Sequence, residues 1–191
     1  MWTAARTCAS DEELARAYAR GQQPPFEELV RRYSGPVYAF CLRMVARRED
    51  AEDLTQDVFV QLMKSLPAAR TDMPIRPWIF VIARNKCLDH LKRRRPIPFS
   101  STTRDDDDIE VDVVDAAPLP DDLAERADTR DLVQRAISTL PERFRAVVAL
   151  RYSSDLSFGE IGEVLGIPEN TAKTHFQRAK ALLRVQLQGL R

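Results

Sequence analysis

An all-α fold with two small helical domains is predicted by three features of the sequence. Apolar residues recur at spacings of three and four in every block that proline does not interrupt. Two Ser-x-x-Glu capping boxes, Ser10 with Glu13 and Ser157 with Glu160, mark helix starts. Between two sets of helical runs stands a segment of Ser, Thr, Asp and Pro that reads as a flexible acidic linker. A chain of 191 residues can hold two cores of roughly 60 to 80 residues each. The expected division is a first domain over 10–95, the linker over 96–127 and a second domain over 128–191.

The first run opens at Ser10 and ends at Gly21, after which Pro24-Pro25 punctuates the chain. In the second, Phe26, Leu29, Val30, Tyr33, Val37, Phe40, Cys41 and Met44 keep helical spacing, and Gly35-Pro36 predicts a kink or short break. The third starts at the acidic Glu49-Asp50, which suits the positive end of a helix dipole, carries Leu54, Val58, Leu62 and Met63 inward, and stops at Pro67. Residues Ala68 to Pro77 read as a loop. The fourth run, Trp78 to Arg95, passes from apolar to basic. At about 100° per residue, Phe80, Ala83, Cys87 and Leu91 share one face, while Asn85, Asp89, Lys92 and Arg93 occupy a sector of roughly 100° on another.

Beyond the linker, Leu132, Ala136 and Ile137 form one run, and Pro141 opens a second containing Phe144, Val147, Val148 and Leu150. The third is short, from the Ser157 capping box to a stop at Gly166. Pro168 opens the last, whose Ala172, Phe176, Ala179 and Leu183 share a face. Two helices joined by a short glycine turn make a helix-turn-helix, with the second as the recognition helix. Its opposite face carries Asn170, Thr174, Gln177 and Ala181, flanked by Lys173 and Arg178, and its start near Thr171 offers backbone N–H groups to phosphate.

The net charge of zero hides a pattern. Residues 26–95 carry 14 basic against 9 acidic side chains, residues 96–127 carry 2 against 10, and residues 128–191 carry 10 against 7. Two basic blocks flanking an acidic connector point to a polyanionic partner. The longest uninterrupted apolar run, Trp78 to Ala83, is too short to span a bilayer, and Asp11, Glu12 and Glu13 break any signal pattern, so the chain is expected to be soluble and cytoplasmic. Cys8, Cys41 and Cys87 lack disulfide or zinc spacing and read as buried thiols. Asp105 to Asp108 have neither the glycine nor the distal glutamate of a calcium loop. An enzyme using Cys87, His90 or the aspartates is disfavoured, because Cys87 lies on the apolar face and no orienting carboxylate, phosphate loop or zinc motif accompanies His90.

DAEDLTQDVF (Asp50 to Phe59) followed by WIFVIARNKCLDHLKRRR, and LPERFRAVVALRY (Leu140 to Tyr152) followed by LSFGEIGEVLGIPENTAKTHFQRAKALL (Leu156 to Leu183), resemble bacterial RNA polymerase sigma factors of the extracytoplasmic-function (ECF) group. The resemblance implies a transcription initiation factor that binds core RNA polymerase, reads −10 and −35 promoter elements and promotes melting. It gives Glu52, Asp53, Leu54, Gln56 and Asp57 to polymerase binding, although an acidic helix start alone is an ordinary solvated surface. It gives Arg76, Arg84, Asn85, Asp89, Lys92 and Arg93 to the −10 element, with the loop Ala68 to Pro77 holding a flipped base. It gives Thr171, Lys173, Thr174, Gln177 and Arg178 to the −35 element. Trp78, at the head of an apolar run, reads as core rather than as a base-stacking side chain.

Core RNA polymerase and promoter DNA are the implied partners, an anti-sigma factor is a further one, and neither cofactor nor metal is implied. The linker would run through the polymerase's basic active-site and RNA-exit path, or serve as a solvated tether. The chain departs from the family at Asn170, where Gly is usual, at Ala172, where a β-branched residue is usual, and at His175, where Arg is usual. These changes leave the mechanism intact but remove any basis for reading off the −35 sequence. The alternative is a stand-alone helix-turn-helix regulator that binds duplex operator DNA without polymerase.

Overall fold

A computed structural model describes residues 9–68, 74–94 and 127–188. Among them the secondary structure is helical, with no strand. Residues 96–126 of the linker, Cys8 and residues 69–73 of the expected loop lie outside the described residues, and Ala127 at the linker's end is already the start of a helix.

Helix α1 (Asp11–Ala19) starts as the capping box requires: the Glu13 amide donates to Ser10 Oγ at 3.2 Å and the Ser10 amide to Glu13 Oε2 at 2.8 Å. Helix α2 (Pro24–Val45) runs unbroken for 22 residues with Pro36 inside it, so of the kink or short break expected at Gly35-Pro36 the break does not form. An interior proline costs a helix about 3 kcal/mol. Tyr33, Val37, Phe40, Cys41 and Met44 on either side are all buried, at about 1.5–3 kcal/mol for each large apolar side chain, so packing outweighs the missing hydrogen bond. Pro24 and Pro25 do not precede this helix but form its first turn, where an N–H would have no partner anyway.

Helix α3 (Arg48–Ser65) runs into a 3₁₀ turn, Leu66–Ala68. Helix α4 (Ile75–Arg94) starts earlier than the sequence suggests, so Arg76 and Pro77 belong to its first turn rather than to a loop. Phe40 of α2 meets Phe80 of α4 edge-on, with ring centroids 5.8 Å apart. Cys41 and Cys87 are free, buried neighbours across the same pair of helices. The hydrogen bond with Cys41 first, and burial second, push the Cys87 thiol well above its ordinary pKa. Trp78 is half-buried and packs against this core.

The C-terminal block comprises α5 (Ala127–Thr139), α6 (Glu142–Ser154), α7 (Phe158–Leu165) and α8 (Glu169–Gln188). Its own core joins Ala136, Ile137, Leu140, Phe144, Val148, Ala179 and Leu183. It does not stand apart from the first block: α6 packs on α2, and α7 packs on α4. Ala146, Val147, Ala149 and Leu150 of α6, with Ile161 and Val164 of α7, share one continuous core with α1 to α4.

Candidate nucleic-acid interface

On α3, Glu52, Asp53, Gln56 and Asp57 are exposed, and the helical stripe they begin continues into Val60 (45% exposed) and Met63 (40% exposed). Leu54 departs from the sequence-based assignment. It is 6% exposed, one residue out of phase with that stripe, and turns inward as the helical period demands. It lines a groove of about 160 Å³ between α3 and α4, together with Asp50, Asp53, Asp57, Lys86, Asp89, His90 and Arg93. Lys86 Nζ lies 3.8 Å from Asp57 Oδ2 and His90 Nε2 lies 3.4 Å from Asp50 Oδ2, while Arg94 donates a hydrogen bond to Asp50.

This groove brings together residues that the sequence assigns to different partners. Asp53 and Asp57 come from the polymerase set, and Asp89 and Arg93 from the −10 set. The −10 set does not gather at one point. Arg76 sits a helix-length of about 25 Å from Arg93, at 1.5 Å per residue over 17 residues. Asn85 and Lys92 are exposed between the groove and solvent, and Arg84 is half-buried. Arg76 Nε donates to the Tyr33 hydroxyl at 3.4 Å, and Tyr33 in turn donates to Asp11. Burial first, then the bond to Asp11, raise the Tyr33 pKa to about 12. Asp11 also accepts from Arg32 Nη1 at 2.8 Å, and Arg32 Nε reaches buried Glu28 at 2.9 Å. The bond from Arg31 and then that from Arg32 hold Glu28 down to about 2. Helix α1 thus braces the end of α4 that carries Arg76.

In the C-terminal block the Ser157–Glu160 capping box forms as expected, with the Glu160 amide 3.2 Å from Ser157 Oγ. Gly166 takes φ +70°, and the Ile167 amide returns to the Gly162 carbonyl at 3.0 Å. Gly162 is a requirement that the sequence reading misses. A Cβ there would lie 2.6 Å from the Ile167 carbonyl oxygen and 3.4 Å from the Glu169 nitrogen, so only glycine lets the turn fold back this closely. Its signal was a glycine inside a helical run, four residues before the turn glycine.

The turn aims α8 so that Ala172, Ala179 and Leu183 are buried while Lys173, Thr174 and Gln177 are exposed; Thr171 and Arg178 are half-buried at the margin. Lys173 pairs with Glu169 at 2.7 Å, an exposed helical pair worth about 0.3–0.5 kcal/mol and easily exchanged for a phosphate. His175 lies edge-on to Phe144, with centroids 5.3 Å apart, at the core margin rather than on the exposed face of Lys173, Thr174 and Gln177. Lys180, only 8% exposed, lies over the Phe176 ring at 5.9 Å. Among the described residues no cluster of His, Cys, Asp and Glu could hold a metal ion, and no helix is long and apolar enough to cross a membrane.

Family models for Sigma-70 region 2 and Sigma-70 region 4 match residues 29–97 and 130–183. The chain is 32% identical over 180 residues to the ECF RNA polymerase sigma factor SigE of Mycolicibacterium smegmatis, covering 92% of this chain and 68% of that one. It is 30% identical over 190 residues to the RNA polymerase sigma-H factor of Pseudomonas aeruginosa, covering 96% and 97%. The chain belongs to the ECF group of sigma-70 factors. It is therefore a transcription initiation factor that works with RNA polymerase. A solved structure of CnrH in complex with the cytosolic domain of CnrY is similar over 94% of this chain and 97% of that one, with a TM-score of 0.71 and 25% identity. RpoE of Bartonella quintana, solved with the anti-sigma factor NepR, shares the fold at a TM-score of 0.64 and 17% identity. Helix α1 precedes the region 2 match, so the brace it provides to Arg76 lies outside that pattern.

Proposed function

We propose that this sigma factor binds core polymerase through the exposed stripe of α3, reads a −10 element with the outer face of α4 and reads a −35 element with α8, catalysing no reaction itself. The observation that carries this reading is the division of exposed polar surface: an acidic stripe on α3, a basic-ended α4 and a Lys-Thr-Gln face on α8, all in one chain. Glu52, Asp53, Gln56 and Asp57 supply charge to the polymerase contact, Val60 and Met63 extend it with apolar area, and Leu54 fixes the helix from beneath. Arg76, Arg84, Asn85, Asp89, Lys92 and Arg93 track the melting strand along the length of α4. Lys173 and Arg178 hold phosphates while Thr174 and Gln177 face base edges, with the start of α8 at Thr171 on the backbone.

The domains are 10–95 and 128–191, and 96–127 tethers them. The protein works in the cytoplasm, where polymerase and promoter DNA are found. An anti-sigma partner is proposed from the relatives solved as complexes. The test is transcription in vitro from genomic DNA with core polymerase plus this chain, mapping the start sites. Starts preceded by a shared pair of motifs are expected. Tight binding to a specific duplex without polymerase, retained after deletion of residues 1–95, would instead establish the stand-alone regulator.

A further inference from the structure

We propose that Asp11 and Tyr33 are positioning residues for promoter reading: they hold Arg76 by its Nε so that its two Nη nitrogens are presented to a phosphate of the −10 strand. The proposal rests on the sigma-factor reading above, and it adds helix α1, which precedes the region 2 match, to the −10 machinery. Ile75 and Pro77 on either side of Arg76 are buried, so the first turn of α4 is fixed in the core while the Arg76 side chain is exposed. Arg76 Nε donates to the Tyr33 hydroxyl at 3.4 Å, which is long for such a bond, so it orients the guanidinium rather than clamping it. The direction of each bond in this chain is dictated. A tyrosine hydroxyl has one proton, and Tyr33 gives it to Asp11, which leaves a lone pair for Arg76. Asp11 is fixed from its other oxygen, where Arg32 Nη1 donates at 2.8 Å. Arg32 is itself held by the Ala9 carbonyl at 2.9 Å and by Glu28 at 2.9 Å. The Tyr33 side chain is only 6% exposed, so it cannot follow Arg76 if the arginine swings away.

What this arrangement leaves unused is the part of arginine that recognises phosphate. A guanidinium carries its N–H donors in a rigid planar fork, and the two Nη nitrogens match two oxygens of one phosphate. Among the described residues, Nη1 and Nη2 of Arg76 make no hydrogen bond. Glu160, at the start of α7, lies within electrostatic reach of Arg76, but its carboxylate bonds to the Ser157 amide at 2.8 Å and to the Ser157 hydroxyl at 2.7 Å rather than to the arginine. An exposed arginine with no tether would lose its rotamer freedom only on binding, a cost of about two- to tenfold in affinity. Here part of that freedom is already lost in the folded protein, through side chains on α1 and α2 that never touch the DNA. Asp11 is the residue that makes α1 part of the relay, because without its carboxylate the Tyr33 proton has no fixed direction.

The test uses holoenzyme assembled from core polymerase and the full chain. The probe is a fork, duplex over the −35 element and single-stranded over the −10 element, copied from a start site mapped by the transcription experiment above; a duplex of the −35 element alone is the second probe. Tyr33→Phe, which keeps the buried ring, and Asp11→Ala should each weaken binding of the fork by about fivefold, as for one lost hydrogen bond, and leave binding of the −35 duplex unchanged. Arg76→Ala should weaken the fork at least as much and lower the slope of log affinity against log salt by about 0.7, the share of one single-strand phosphate. In the Arg76→Ala background, Tyr33→Phe and Asp11→Ala should cost nothing further, because they act only through the arginine. Losses that add to that of Arg76→Ala, or that fall equally on the −35 duplex, show a merely structural role and overturn the proposal. So does an Arg76→Ala holoenzyme with unchanged affinity or salt slope. A wild-type chain that yields no start site with core polymerase overturns the sigma-factor reading itself, before any variant is made.

Discussion

Substituting Gly162 by alanine tests whether the fold of the turn positions the recognition helix. The added Cβ meets the Ile167 carbonyl oxygen at 2.6 Å, and that atom is backbone, so the turn itself must move. Forcing a methyl group into such a contact costs about 1–3 kcal/mol, and straining the bond from Ile167 to Gly162 adds about 1 kcal/mol. Alanine returns about 1 kcal/mol as the better helix former. The net loss of about 1–3 kcal/mol lowers the melting temperature by roughly 3–10 °C in a chain of this size. Gly159, in the same helix, is the control: a Cβ there sits 3.8 Å from Glu169 Oε2, an ordinary contact, so Gly159→Ala should be neutral or raise the melting point slightly. Both variants are read by thermal denaturation and by binding of a −35 duplex to polymerase holoenzyme, where Gly162→Ala should weaken binding because α8 is displaced. A Gly162→Ala protein as stable as wild type, or equal losses at both glycines, would refute the steric argument.

Lys173→Ala and Arg178→Ala should each reduce the slope of log affinity against log salt for promoter DNA by about one unit; an unchanged slope in both would remove α8 from the interface. Asp53→Arg, at an exposed position, should abolish co-purification with core polymerase while the circular dichroism and melting point stay at wild-type values. Leu54→Ala should do the reverse in stability, costing about 2–5 kcal/mol by urea denaturation because its side chain is buried. Glu28 has a folded pKa held down to about 2 against an ordinary 4.5, so its stabilisation is complete above pH 4.5 and is lost as the pH falls through about 2. Unfolding midpoints across that window should fall less steeply in Glu28→Gln than in wild type, and parallel curves would show that the Arg31 and Arg32 contacts are not what acid breaks.

Local chemistry was readable in advance, and distant pairing was not. Ser10 with Glu13 and Ser157 with Glu160 specify their helix starts because every atom involved lies within three residues. Which face of α8 is buried and which is exposed follows from its apolar stripe for the same reason. At Gly35-Pro36 a break does not form, because the sequence displays the local cost of proline but not the burial of Val37, Phe40 and Met44 that overrides it. Leu54 shows the same limit at the site: its place in a motif suggested contact with a partner, and its phase on α3 placed it under the groove. Arg43, Gln134 and Arg145 carry no sequence signal at all, since their partners lie 92 to 110 residues away.

The sequence by itself determined that this protein is a chain of amphipathic helices in two basic blocks with the motifs of a sigma factor, because helical period, capping and motif spacing are written within a few turns of chain. Only the tertiary structure decided which apolar faces stay available to a partner. The faces of α2, α4, α6 and α7 are spent on one another, and the exposed stripes of α3 and α8 are left outward, because burial is set by whatever surface arrives from far along the chain, and no local pattern contains that surface.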